Sequence, residues 1–222
     1  MGEMAAPRVP ELLARGPWRP EEVSARWRED AYEPPGDLSE RADAEVAALR
    51  LRGSPTHDGM SARLAAFEQR EAGLEVELQP ARWALRLVEG RASDSMTGLC
   101  VVRAEDGRWL AGRRAAWLST WAGQWALGAG GAVDLGESPA ETLPRELAEE
   151  WQLKPVTLSV EALLRLPNGL TMLVGLATVP SDSEPVPDEE HDEFAWWPAD
   201  PSAWPGEADE RLRRMATFLA SA

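Results

Sequence analysis

The sequence predicts an α+β fold with a helical N-terminal region, residues 1–73, ahead of a mixed strand-and-helix domain, residues 74–222. Three observations lead there. Breakers divide the first 73 residues into stretches that open like helices. From Leu74 the apolar period shortens to two, the mark of a half-buried strand. Beyond that point strands and helices follow one another without the regular βαβ alternation of a doubly wound sheet.

Taken in order, Pro20 opens a helix through Glu21, Val23 and Trp27, and Tyr32-Glu33-Pro34-Pro35-Gly36-Asp37 ends it. Ser39 caps a second helix through Val46, Leu49 and Leu51 that stops at Gly53. Asp58 starts a third, carrying Leu64 and Phe67 as far as Gly73. Leu74, Val76 and Leu78 then alternate with polar residues, as do Trp83, Leu85 and Leu87 after Pro80. Met96 to Val102 is a continuous apolar run, read as a buried strand. Asp106-Gly107 turns it into a return strand from Trp109 to Arg113. Trp125 to Leu127 leads into a glycine-rich stretch and a helix. Strands near Val156–Leu166 and Leu170–Val179 follow, joined at Pro167-Asn168-Gly169. An acidic loop from Ser181 to Asp192, a short strand from Phe194 to Trp197 and a helix from Glu207 to Leu219 complete the chain.

The composition is that of an ordinary globular protein, 44% hydrophobic and 27% charged, with material for a core that needs no disulfide. A formal net charge of −15 disfavours a nucleic-acid polymer, whose binding rests on Lys and Arg neutralising phosphates. A small phosphorylated substrate remains compatible, because a divalent metal supplies positive charge locally. With one cysteine, Cys100, no intrachain disulfide forms. No stretch approaches the roughly 20 apolar residues of a membrane span. The start MGEMAAPRVPELLARG lacks the apolar core of a signal peptide, and it lacks the Ser or Thr of a myristoylation signal. The expected location is the cytoplasm, away from membranes. A single lysine, Lys154, among many Arg, Ala, Gly and Pro residues points to a GC-rich bacterial genome.

The segment Gly130 to Leu153, GGAVDLGESPAETLPRELAEEWQL, concentrates the chemistry. Paired glycines admit close approach of backbone and ligand. Ser138, Pro139 and Glu141 form a helix start with a capping box. At helical spacing, Glu149 and Glu150 fall on either side of Glu146 one turn on, while Ala140, Leu143, Leu147 and Trp151 form an apolar stripe. Arg145 stands four residues before Glu149, within pairing distance. Clustered carboxylates repel one another, and a hard divalent cation such as Mg²⁺ or Mn²⁺ relieves that. On its own, Arg-Glu-Leu-x-Glu-Glu also suits a plain solvated helix face.

The flanking pattern goes further, because the segment resembles the box of the Nudix hydrolase family. Gly131, Glu137, Arg145, Glu146, Leu147, Glu149, Glu150 and Leu153 stand at its spacing, and Gln152 replaces its late glycine. The resemblance spans the box, residues 131–153, strongly and residues 95–222 loosely. It implies an α/β/α sandwich with the box as loop, helix and loop. It also implies that Glu146, Glu149 and Glu150 ligate Mg²⁺ or Mn²⁺, with the Gly130 carbonyl as a further ligand. Arg145 orients a box glutamate, and Glu137 serves as secondary ligand or orienting group. A glutamate from a later loop often completes the family's site, and the acidic loop offers Glu184, Glu189, Glu190 and Glu193. Glu190 and Glu193 rank first, being nearest the following strand.

Other residues read more plainly. Trp125 belongs to the core, Trp121 is the better candidate for stacking on a substrate base, and Trp117 crowds the same loop. His191 is expected to be exposed, His57 structural and Cys100 a core residue. Trp196 and Trp197 point to opposite faces of their strand. Pro144 either kinks the helix or restarts it.

The resemblance therefore implies a magnesium-dependent pyrophosphohydrolase that cleaves the diphosphate linkage of a small nucleotide-like substrate. A nucleotide sensor without turnover is the alternative. An isopentenyl-diphosphate isomerase shares the fold but relies on a catalytic cysteine, and Cys100 sits within a strand. The N-terminal helices leave open a homodimer interface, a lid or a separate recognition module.

Overall fold

The apolar run from Met96 to Val102 becomes a central strand of the largest sheet. The computed structural model describes residues 9–54 and 58–221. His57 and the first residues of the N-terminal segment lie outside them. The chain forms β1 (Glu11–Trp18), β2 (Val23–Trp27), α1 (Leu38–Leu51), β3 (Met60–Arg70) and β4 (Gly73–Arg82). A 3₁₀ turn, Trp83–Leu87, leads to β5 (Met96–Ala104), β6 (Trp109–Arg114), β7 (Trp125–Leu127) and β8 (Ala129–Ala132). Then come α2 (Pro139–Trp151), β9 (Thr157–Arg165), β10 (Thr171–Val179), β11 (His191–Trp197) and α3 (Glu210–Ala220).

The large sheet runs β1-β9-β10-β5-β6-β11, with β7 on β6 and β8 on β5, and a small sheet runs β2-β4-β3. Within the large sheet β10 and β5 are parallel. Two-residue alternation sends their side chains to two cores. Met96, Cys100 and Val102 of β5 join Ala140, Leu143, Leu147 and Trp151 of α2 in one. Val101 of β5 and Val174 of β10 join Ala216 and Leu219 of α3 in the other. The two helices thus cover opposite faces, giving an α/β/α arrangement within an α+β fold.

The strands expected from Met96 to Trp197 form, with the turns at Gly107 and Gly169 both at positive φ. The first 95 residues need correction. Of the three helices expected in the N-terminal region only α1 exists, between Leu38 and Leu51. The stretch from Pro20 makes one 3₁₀ turn and then β2, and the stretch carrying Leu64 and Phe67 is β3. β1 falls outside every expected element. The expected strand through Trp83, Leu85 and Leu87 is the 3₁₀ turn instead.

The reason is pairing. Residues 60–70 are rich in helix formers, but β3 is held to β4 over ten residues of register, with Leu64 opposite Leu78 and Phe67 opposite Val76. Tertiary partners override weak local propensity. Val23, Ala62, Leu64, Leu74, Val76 and Leu78 of the small sheet also belong to the same core as α2. Among the described residues no helix is long and apolar enough to cross a membrane.

This shared core bears on a shortened chain. A fragment 74–222 lacks both neighbours of β4 and the β1 edge of the large sheet. Each buried aliphatic side chain so exposed costs about 1.5–3 kcal/mol. The fragment should be insoluble or molten by circular dichroism and dye binding, where the full chain melts cooperatively. A soluble, cooperatively melting fragment would mean that the N-terminal strands are dispensable to the fold.

Candidate active site

The loop and helix that follow β8 are shaped by local chemistry before any ligand enters. Pro139 occupies the first helical position of α2. The Ser138 hydroxyl accepts from the Ala140 amide at 3.3 Å, and Glu141 accepts from the Ser138 amide at 2.8 Å. Pro144 does not restart the helix: α2 is one helix from Pro139 to Trp151 with Pro144 inside. Proline removes the hydrogen bond to the carbonyl four residues back, so burial of the apolar stripe must hold this turn together. The helix ends on Gln152, whose φ of 54° and ψ of 29° are left-handed, the conformation for which glycine is suited.

Arg145 ties this helix to the preceding loop. Its Nε donates to Glu137 Oε1 at 2.7 Å and Nη2 to Glu137 Oε2 at 3.0 Å, a bidentate pair. Nη2 also donates to the Ala132 carbonyl at 3.0 Å. Nη1 donates to Glu146 Oε1 at 2.6 Å and to Glu149 Oε2 at 3.1 Å. Glu137 further accepts from the Thr142 hydroxyl at 2.7 Å and the Asp134 amide at 3.2 Å. Burial alone would raise its pKa, but Arg145, Thr142 and the Asp134 amide together hold it below the ordinary value. Both oxygens of Glu137 are thus engaged within the protein.

Glu150 lies deeper, only 4% exposed. Its Oε1 accepts from the Gly130 amide at 2.9 Å, while Oε2 is buried without a hydrogen-bond partner. His191 Nε2, also buried and without such a partner, is 3.6 Å from that oxygen. Burial pushes the Glu146 carboxyl up to about 6, against the pull of Arg145. Burial also raises Glu150, with the Gly130 amide opposing and the charges of Glu146 and Glu190 adding. Glu190 is raised by burial too, while Arg114, its Nη2 at 3.4 Å, works the other way. Three carboxyls whose pKa values are raised thus share one region. Among the described residues, no three His, Cys, Asp or Glu side chains converge closely enough to hold an ion as they stand. The chemistry of the set still fits a hard cation: every acidic donor is an oxygen, and one buried carboxylate oxygen lacks a partner. Gly131 makes room for the Glu146 carboxyl, since a Cβ there would sit 2.2 Å from Glu146 Oε1.

The model of the NUDIX domain matches residues 96–217, more than half the chain, with the box geometry just described inside it. The chain belongs to the Nudix hydrolase family. No curated protein matches it. Among solved structures it is similar to the MutT protein from Methanosarcina mazei Go1, at 21% identity and TM-score 0.42, covering 57% of this chain and 91% of that one. It is similar to the NUDIX domain of Shewanella oneidensis NrtR complexed with ADP ribose, at 20% identity and TM-score 0.47, covering 57% and 86%. The E. coli dihydroneopterin triphosphate pyrophosphohydrolase is similar at 20% identity and TM-score 0.42, covering 57% and 96%.

Within this Nudix domain the residues expected from sequence divide. Arg145, Glu146, Glu149 and Glu137 are joined directly, and Glu150 joins Gly130. Glu149 is exposed, with 59% of its side chain accessible, but Glu150 is not the solvent-facing residue expected from the helix stripe. Glu190 faces the cluster. Glu193 turns away and pairs with Arg113 at 3.2 Å, because a register shift between His191 and Glu193 puts it on the other face of β11. Trp196 and Trp197 pack into opposite cores, as expected. Trp121 is 38% exposed at a positive φ of 51°, whereas Trp125 packs against Trp197 at 5.3 Å. His191 is the clear correction: expected to be exposed, it is 7% exposed, its ring 4.3 Å from that of Trp151. Gly112 accommodates both rings, since a Cβ there would meet His191 at 2.5 Å. Burial lowers the His191 pKa, with Asp188 opposing. Arg114 was missed, because nothing local distinguishes it from Arg113.

Two outcomes follow from this geometry. Gln152→Gly should raise stability by about 1 kcal/mol by relieving the left-handed cap, with turnover within a few-fold; chemical denaturation checks it, and a loss of stability would contradict the cap reading. The second concerns pH. A carboxyl whose pKa is raised by folding stabilises the fold below its unfolded value, and that contribution is lost as pH rises to the folded value. For Glu146 the window runs from the ordinary 4.5 to about 6, and Glu150 acts in the same sense. His191, lowered by burial, acts oppositely, so the comparison must isolate one group. In chelator-treated protein, Glu150→Gln should gain melting temperature relative to wild type as pH rises from 5 to 7. A difference that stays flat or falls would contradict the burial cost assigned to Glu150.

Proposed function

We propose that this Nudix hydrolase is a divalent-metal-dependent pyrophosphohydrolase that cleaves the diphosphate linkage of a small nucleotide-like substrate, a nucleoside diphosphate joined to another group. The observation that carries this reading is the buried, partnerless Glu150 oxygen amid the Glu146 and Glu190 carboxyls. A protein gains nothing in stability from carboxyls gathered in a low dielectric, so a cationic partner accounts for their retention.

Glu146, Glu149 and Glu150, with the Gly130 carbonyl, would hold Mg²⁺ or Mn²⁺, as the family resemblance implies. A bound divalent ion polarises a phosphoryl oxygen and makes an attacking water more acidic. The remaining work falls to the chain. Arg145 holds Glu146 and Glu149 in place, and Glu137 with Thr142 fixes Arg145. Glu190 is the best placed group to accept a proton at its carboxylate, since its raised pKa makes it a stronger base than an exposed glutamate. Trp121 offers an exposed ring for stacking on a substrate base. The isomerase reading loses support, because Cys100 is fully buried and its thiol is pushed up to about 12 by burial and the charge of Glu150. The expected setting is a cytoplasmic enzyme acting on small molecules rather than polymers.

The test is a magnesium-dependent screen of sugar nucleotides, dinucleotides and nucleoside triphosphates, reading phosphate after phosphatase coupling. Glu149→Gln or Glu150→Gln should lower turnover by about 10²–10³ while still melting cooperatively, the scale for losing transition-state charge stabilisation, and chelation should abolish turnover. A double variant with near-normal turnover would end the metal-site assignment. A folded wild type that binds a nucleotide but hydrolyses none would favour the sensor.

A further inference from the structure

We propose that Arg86, which precedes the segment matched by the family model, grips a phosphate group of the substrate, so that the N-terminal half of the chain completes the active site. This rests on the hydrolase reading for its substrate class. Arg86 lies in the 3₁₀ turn Trp83–Leu87 between β4 and β5. The turn is anchored where Ala84, Leu85 and Val88 pack against Leu38, Ala42 and Val46 of α1. That anchoring leaves the Arg86 guanidinium half-buried beside the Trp83 ring, 5.7 Å from its centroid.

What Arg86 lacks is an anion in contact. Arg145 binds Glu137, Glu146 and Glu149, and Arg114 reaches Glu190. Among the described residues no carboxylate forms an ion pair with Arg86. It nonetheless lies within electrostatic range of Glu146, Glu190 and Arg114, the groups that border the site. Burial pulls its pKa down to about 10, against the charges of Glu146 and Glu190. A half-buried guanidinium that stacks on a ring and pairs with no carboxylate keeps donors free for an anionic ligand. Phosphate matches the fork of guanidinium donors in shape and charge. It also answers a problem of the site, whose carboxylates would repel a diphosphate unless cations stand beside them.

The N-terminal region is fastened to the site at several points, which keeps Arg86 in register with it. The Trp27 indole donates to the Glu137 carbonyl at 3.1 Å, within the box loop. The Ala62 amide of β3 donates to the Val133 carbonyl at 2.9 Å. The Ser54 hydroxyl donates to the Trp117 carbonyl at 2.6 Å, in the loop that carries Trp121.

The experiment is calorimetric titration of the full-length protein with inorganic pyrophosphate in magnesium, alongside thermal melts. Arg86→Gln should weaken pyrophosphate binding by about tenfold or more, with the melt nearly unchanged. Arg86→Lys, which keeps the charge but not the fork, should fall between the two. If Arg86→Gln does not fold, the Lys variant decides alone, a loss of about threefold or more upholding the grip and wild-type affinity overturning it. A wild type that does not bind pyrophosphate, or an Arg86→Gln variant that binds it as well as wild type, overturns the grip. With a substrate in hand, the grip appears as a raised KM with a smaller change in kcat. Arg86-dependent binding in a protein that hydrolyses nothing upholds the grip and overturns the hydrolase reading. Turnover with KM and pyrophosphate affinity unchanged in Arg86→Gln overturns the grip alone.

Discussion

Arg145 reaches two acidic groups of its own helix and one of the loop before it, and the shape of the site depends on that reach. Its bidentate hold on Glu137 and its bond to the Ala132 carbonyl pin the loop against α2. Its other terminal nitrogen draws Glu146 and Glu149 together. Like charges this close destabilise one another, and one delocalised cation with five donors offsets part of that cost. A lysine would supply the charge but not the fork, so loop and helix could not both be bound.

The helix that presents these groups is not ideal by local rules. Pro144 interrupts its hydrogen bonding, and Gln152 ends it in a conformation better suited to glycine. It persists because Ala140, Leu143, Leu147 and Trp151 are buried against the sheet, and because the Trp151 indole donates to the Gly128 carbonyl at 3.0 Å. Packing therefore sets the position of α2, and the carboxylates inherit it. The same packing explains why Glu150 is buried: it follows Glu149 by one residue but precedes Trp151, and it rotates inward with the stripe.

The region ahead of the Nudix segment is part of this arrangement rather than an appendage. Its small sheet shares a core with α2, and its side chains bond the backbone of the loops around the site. Those hydrogen bonds satisfy carbonyls that irregular loops leave without a ladder partner. The shape of the box loop thus owes something to residues far away in sequence.

The sequence by itself determined the box residues, the cap of α2, the apolar stripe and the strands from Met96 to Trp197, because each is written in local spacing at a period of two or near four. Even the left-handed end of α2 was legible, from Gln152 standing where a glycine is expected. The strands of the first 73 residues were not, because β2 and β3 carry residues compatible with helix and become strands only by pairing with β4. Nor was the different placement of Glu190 and Glu193, which turns on a register shift in β11, or the burial of His191 and Glu150, which depends on what packs above them. Arg86 is the clearest case. Nothing in its neighbours along the chain separates it from other arginines, and only the packing of its turn on α1 fixes where its charge lies. Local periodicity states which face of an element is apolar; which partner covers that face, and so which charges end in low dielectric, is decided by the tertiary structure.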